Sequence, residues 1–282
     1  MNILEAIILG IIQGITEFLP ISSTGHLTVA GKLMNLVSAE VPEQWTAFIA
    51  VIQLGTLISI LIYFRKDLWN ISKDFLTDNI MERKSFSNQS FNSRTGWLII
   101  IGTIPVVVAG LLFKEIIEGS LTKDLYVISG SLIGLAVILA FAEKTAKLNK
   151  EIKDISVINV LLIGIAQAFA LIPGSSRSGT TITGGLFVGL NRESAARFSF
   201  LLSVPAILGS GLLQLYEALK FIDSSMALNL IVSTIFSAVS GYAAIDFLLK
   251  YLRKNTTFIF IYYRIILGIA ILILLSTSII QP

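Results

Sequence analysis

Two apolar stretches of this chain are broken in the same way, and the breaks limit what it can fold into. Phe18-Leu19-Pro20-Ile21-Ser22-Ser23-Thr24-Gly25 interrupts the stretch over 3–36, and Leu171-Ile172-Pro173-Gly174-Ser175-Ser176-Arg177-Ser178-Gly179 interrupts the one over 157–190. A helix needs about 17–25 mostly apolar residues to cross a bilayer, and each flank of each break is shorter than that. Pro, Gly and Ser end a helix where they cluster. Each stretch is therefore expected to turn back as a re-entrant helix–loop–helix hairpin.

Six other stretches are long and apolar enough to cross, at roughly 45–64, 96–113, 123–142, 198–219, 226–249 and 258–280. Over the whole chain, 54% of residues are hydrophobic and 14% charged, against about 25% charged in soluble domains. The excess apolar surface must face lipid, so the expected class is an all-α polytopic membrane protein. No cysteine is present, which excludes disulfides, zinc–thiolate sites and Cys nucleophiles; the one histidine, His26, excludes a multi-His metal cage. The first 20 residues lack a basic start and contain Glu5 and Glu17, so no cleaved signal peptide is expected.

The broken stretches also resemble each other. Gly10-Ile11-Ile12-Gln13 recurs as Gly164-Ile165-Ala166-Gln167, and with a one-residue gap Pro20-Ile21-Ser22-Ser23 matches Pro173-Gly174-Ser175-Ser176. Three spans follow each, giving a single integral membrane domain over 1–282: a repeat over about 1–142, a cytoplasmic linker over about 143–156, and a repeat over about 157–282. An odd number of crossings per repeat inverts the second relative to the first, and paired broken segments point to a midplane site between such repeats. Charge placement supports this topology. With the N-terminus outside, fifteen Lys and Arg fall in inside connections and four (Lys32, Lys114, Lys123, Lys220) outside, a firm positive-inside bias. Because these basic residues flank apolar spans, they give no reason to expect nucleic acid as a partner. Arg177 sits in the second break, and Arg264, near the start of the last span, is expected to snorkel. Gly10/Gly14, Gly130/Gly134 and Gly185/Gly189 have the spacing of close helix packing. The polar loop 65–95 is expected to be a mobile cytoplasmic connection, with or without a short surface helix.

Chemistry concentrates at the breaks. Gln13 and Glu17 are four apart and share a helix face; a carboxylate in an apolar helix is by default a functional candidate, although Glu17 could merely accept bonds from the Ser22-Ser23-Thr24 turn. His26 follows that turn and offers acid–base chemistry or attack on phosphorus. Ser22, Ser23 and Thr24 supply hydroxyls where a helix starts, suited to capping, and Ser23 is placed for activation by a neighbouring base. In the second break, Gly174 permits close backbone approach, Ser176, Ser178 and Thr181 supply hydroxyls, and Arg177 adds a bidentate cation. Together these form a recipe for holding phosphate. Arg177 at membrane depth needs an anion: Glu17, a ligand, or both. No Walker A or dinucleotide fingerprint occurs.

With these residues in view, the chain resembles the bacterial undecaprenyl-diphosphate phosphatase family, whose members confer bacitracin resistance. Gln13-Gly14-Ile15-Thr16-Glu17 matches the family's first motif, Glu or Gln followed four residues later by Glu, and Phe18 through His26 is similar to the segment that follows it. Pro173 through Thr181 matches Pro-Gly-x-Ser-Arg-Ser-x-x-Thr in full, and Ala50–Gly55 and Arg197–Ser203 are also similar. The resemblance covers essentially the whole chain. It implies hydrolysis of undecaprenyl diphosphate to the monophosphate and phosphate, which recycles the lipid carrier for cell-wall synthesis. It also implies a multi-pass protein of the bacterial cytoplasmic membrane with its site between the hairpins, toward the outer face. By carry-over, Glu17, His26, Ser23 and Arg177 are catalytic, and Gln13, Ser22, Thr24, Gly174, Ser176, Ser178 and Thr181 bind substrate phosphate. Glu17 is also a candidate metal ligand, although one firm carboxylate argues against a tight two-metal site; a Mg or Ca ion and a homodimer are compatible with the resemblance.

Ser23 or His26 is expected to attack phosphorus or activate the attacker, with Glu17 taking or orienting the proton and Arg177 holding charge. The rival from another class is a polyprenyl-phosphate transporter or flippase, because inverted repeats with broken helices also build secondary transporters.

Overall fold

A computed structural model describes residues 1–37, 42–119, 123–219 and 224–281. They form twelve α-helices and no strand among the described residues. The first hairpin is α1 (Ile3–Phe18) and α2 (Ser23–Leu33), followed by α3 (Pro42–Tyr63), α4 (Arg65–Leu76), α5 (Phe91–Leu112), the short α6 (Lys114–Glu118) and α7 (Leu125–Thr145). The second hairpin is α8 (Val157–Ala168) and α9 (Arg177–Phe187), followed by α10 (Arg192–Ala218), α11 (Ser224–Leu252) and α12 (Phe258–Ser276). The six helices long and apolar enough to cross a membrane are α3, α5, α7, α10, α11 and α12, the six expected. The chain is an all-α polytopic membrane protein.

The hairpins are local necessities. Asn2 and Glu5 close a capping box at the start of α1. Leu19 leaves that helix in extended backbone, as expected of a residue before Pro20. Ser22 then turns with φ 74°, and its hydroxyl accepts from the Gly25 N–H at 3.2 Å to cap α2. Ser176 repeats this with φ 69°, accepting from the Gly179 N–H at 3.2 Å to cap α9.

These twin caps correct the sequence register. Gln13 pairs with Gln167, Ser22 with Ser176, and Gly25 with Gly179, all at one offset with no gap. The match runs to the far ends of the short helices, where Leu36 N–H bonds the Gly31 carbonyl and Leu190 N–H bonds that of Gly185. Identity of residues had suggested a gap because proline falls one place apart in the two breaks. Under the corrected register Ser23 and Arg177 are counterparts, each the first residue of its short helix.

Helix packing repeats as well. α1 packs on α11, and α8 packs on α5. Gly10 lies against the Ser233 carbonyl of α11 and Gly164 against the Gly102 carbonyl of α5, each without room for a Cβ. Gly14 lies similarly against Ser237, Ser240 and Gly241. Among the described residues a Cβ built on Gly130 or Gly134 would meet nothing within 4 Å beyond its own helix, and Gly189 with φ 96° turns the end of α9. Of the three glycine spacings, then, only Gly10/Gly14 marks a helix–helix seam along both members. Gly14→Leu is expected to cost roughly 1–3 kcal/mol through overpacking, read as a lower Tm of the detergent-purified protein, while Gly130→Ala leaves Tm unchanged or raises it.

Ion pairs segregate as the charge count requires. Arg192 pairs with Glu143, Arg197 with Asp67, and Arg253 with Glu193, all from connections assigned inside. Lys32 donates to the Gln281 carbonyl and Lys114 pairs with Glu217 among those assigned outside. Lys220 lies outside the described residues.

The loop 65–95 is more ordered than expected. α4 covers its first third, and the remainder folds on buried Asp78, which accepts from Lys84 Nζ at 2.9 Å and from the Ser90 N–H at 2.7 Å. Asn79 accepts from Gln89 and from the Trp97 indole. The Lys84 ammonium and the Ser90 N–H hold the Asp78 carboxyl down to about 2, from an ordinary 3.8. With the folded value below the unfolded one, the stabilisation is complete above about pH 4 and is lost as pH falls through 2. Asp78→Asn is expected to remove it at neutral pH, seen as faster tryptic cleavage after Arg83 and Lys84.

Candidate active site

The site forms where the two breaks meet. The last turn of α1 puts Gln13 above Glu17, and Gln13 Nε2 donates to Glu17 Oε2 at 3.0 Å. At the start of α2, Ser23 Oγ donates to the same oxygen at 2.6 Å. From the other hairpin, 160 residues away in sequence, Arg177 Nη2 reaches Glu17 Oε1 at 2.5 Å. Glu17 therefore gathers an amide, a hydroxyl and a guanidinium while only 4% exposed. A carboxylate this buried persists only with its partners, and removing the partner of a buried pair costs about 3–5 kcal/mol.

His26 lies one turn into α2. Its Nδ1 is 2.7 Å from the Ser22 carbonyl, an acceptor only, so Nδ1 carries the proton. Nε2 of the neutral ring then accepts from the Tyr263 hydroxyl at 2.6 Å, and the two rings stack at 5.6 Å. Tyr263 belongs to α12 and went unseen in the sequence, where one tyrosine in an apolar span carries no signal.

Arg264, its neighbour, corrects an expectation. It does not snorkel. It is 1% exposed and donates to the carbonyls of Pro20 and Gly174 at 3.4 Å each, one from each break, and to those of Ser131 and Leu132. One fixed fork thus serves both loops, a task for which guanidinium geometry suits and an ammonium does not. Ser178 Oγ adds a second tie, donating to the Leu19 carbonyl at 3.0 Å.

The other expected residues divide by how their polar groups are used. Ser22 and Ser176 cap their helices, and Ser176 Oγ also lies 3.2 Å from Ser178 Oγ. Thr181 is held by the Arg177 carbonyl and by Ser199 of α10, so its hydroxyl anchors α9 rather than facing the pair. Gly174, with φ 84°, packs where a Cβ would strike Ile128 and Ser131. Thr24 is half-buried beside Ser23. Gln13 Oε1, both amide atoms of Gln167 and Ser175 Oγ are buried without a hydrogen-bond partner among the described residues. Such groups are costly unless water or ligand meets them.

A resident divalent ion fits this donor set poorly. Among the described residues, no three His, Asp or Glu side chains converge on one point, and both Glu17 oxygens already hold protein donors. Octahedral or higher coordination by oxygen needs more than one carboxylate and the free Gln13 carbonyl can give.

What remains is a buried acid–hydroxyl pair facing a guanidinium at the N-terminus of a short helix, between two membrane hairpins. Residues 6–270 match the sequence model of the bacitracin resistance protein BacA family. The chain belongs to that family. Its relatives include a protein of Syntrophobacter fumaroxidans, 56% identical over 96% of this chain and 97% of its own length, and one of Chlorobaculum tepidum, 48% identical over the full length of both. Both are named undecaprenyl-diphosphatase.

Proposed function

We propose that this chain hydrolyses undecaprenyl diphosphate to undecaprenyl phosphate and inorganic phosphate, as a multi-pass enzyme of the bacterial cytoplasmic membrane. The observation that carries this reading is the convergence of Ser23 Oγ and Arg177 on the two oxygens of Glu17. A hydroxyl already donating to a carboxylate is an activated nucleophile, and a cation beside it suits a phosphoryl group.

Arg177 exchanges Glu17 for the terminal phosphate as substrate enters. Ser23 Oγ then attacks the terminal phosphorus: the Oγ–P bond forms, the bridging P–O bond breaks, the proton passes to Glu17, and undecaprenyl phosphate leaves. Water next attacks the phosphoserine, the P–Oγ bond breaks, the proton held by Glu17 returns to Ser23, and inorganic phosphate leaves as the dihydrogen ion, carrying both of the water's protons. The amides at the start of α9 and the Arg177 guanidinium hold the charge that develops on the phosphoryl oxygens. Glu17 and the Gln13 carbonyl would be the protein donors to a Mg or Ca ion, which would supply added positive charge beside the diphosphate. Two inverted repeats, supported by the twin hairpins and by the segregated ion pairs, would set the site at midplane and open it toward the outer face.

The test is phosphate release by the purified protein from a C55 polyprenyl diphosphate in detergent. Release that is lost in Glu17→Ala supports the enzyme. Binding of the lipid without release would leave a polyprenyl-phosphate transporter as the better reading.

A further inference from the structure

Beside the second break runs an apolar groove of about 480 Å³, bounded by α5, α6, α7 and α8. Leu171, Ile172 and Pro173 form its near end, and Phe113, Ile117 and Ile165 are among the side chains further along it. Its near end is continuous in sequence with the site, because Pro173 directly precedes Gly174 through Arg177. Ser131 fixes that junction, its hydroxyl bonding the Pro173 carbonyl. Among the described residues no charged one lines the groove, and its volume falls in the range of about 300–1,000 Å³ usual for small-ligand sites.

We infer that this groove binds the isoprenoid tail of the substrate, in the isoprene units nearest the diphosphate. The inference rests on the function proposed above. A diphosphate held by Arg177 at the start of α9 has its ester oxygen within a few ångströms of the break, and the chain beyond that oxygen is hydrocarbon. It must leave along an apolar path, and the groove starts where the phosphate loop begins. Burial of successive methylenes there would add affinity for substrate and transition state alike, so that its loss would appear in KM. Phe113 and Ile165 are 52% and 49% exposed, so the groove is open to lipid along its length and a long tail can continue past it into the bilayer.

The experiment uses the full-length protein with a C55 diphosphate analogue bearing a diazirine on an isoprene unit near the head. Photo-crosslinks that unlabelled C55 diphosphate competes away are expected on peptides from α5–α8. Competed crosslinks elsewhere would place the tail outside the groove, and crosslinks in the groove that competition leaves unchanged would show ordinary bilayer lipid there; either result overturns the inference. Kinetics give a second reading. Ile165→Trp fills the groove and is expected to raise KM for the C55 diphosphate roughly tenfold with kcat preserved, whereas Val239→Trp, on a lipid-facing part of α11, leaves both unchanged. A fall in kcat alone, or an unmoved KM, in Ile165→Trp overturns the inference. If the wild-type protein releases no phosphate at all, the proposed function fails instead, and the competed crosslinks still locate the tail.

Discussion

Arg177→Ala is expected to lower phosphate release from a C55 diphosphate by roughly three to five orders of magnitude, the range seen where an arginine is withdrawn from a phosphoryl-transfer site. Two effects would combine in that loss. Glu17, 4% exposed, would be left as a buried carboxylate without its cation, and the phosphoryl group would lose its bidentate donor. They can be separated. Arg177→Met combined with Glu17→Gln removes both charges from the pair, so Tm should recover relative to Arg177→Met alone while activity stays lost. Arg177→Lys keeps the charge but not the planar fork, and should recover less than a hundredth of wild-type turnover. Turnover within tenfold of wild type in Arg177→Ala would show that the residue only ties the hairpins together, a task that Ser178 and Arg264 already share.

The architecture was largely legible because a bilayer imposes coarse rules. Six crossing helices follow from length and hydropathy, and two hairpins follow from Pro, Gly and Ser placed where neither flank can span. The pairing of Glu17 with Arg177 was also foreseeable, since a lone cation at that depth requires an anion. Less legible was anything set by which way a side chain points. Arg264 looked like a snorkelling residue because sequence shows its depth near a helix end but not the four carbonyls turned toward it. Tyr263 gave no sign, since contact with His26 depends on how α12 is rotated against α2. The repeat was visible but misregistered: residue identity aligned prolines, whereas the chain repeats the positive-φ serine caps. Gly130 and Gly134 had the spacing of a packing motif, yet among the described residues no other helix meets a Cβ built on either.

Ser23→Ala is expected to reduce turnover by roughly four orders of magnitude or more, as loss of a nucleophile does when binding and charge stabilisation remain. His26→Ala should cost about a hundredfold, the scale of one acid–base group. The asymmetry follows from what each atom is doing before substrate arrives. Ser23 Oγ already directs its proton at Glu17 Oε2 over 2.6 Å, so attack on phosphorus needs no rearrangement of the pair. The lone pair of His26 that could attack is the one that accepts from Tyr263 over 2.6 Å, while the other ring nitrogen is committed to the Ser22 carbonyl. Attack by His26 would first have to break that bond and unstack the rings. Tyr263→Phe discriminates between the two roles. If His26 is the nucleophile, freeing its lone pair should raise turnover; if Ser23 is, turnover should hold or fall. A chemical trap gives the decisive reading: acid quench of the enzyme during turnover of substrate labelled at the terminal phosphate should leave acid-stable phosphoserine at Ser23. Phosphohistidine is acid-labile, so label that survives base but not acid would assign the attack to His26 and overturn the role given to Ser23.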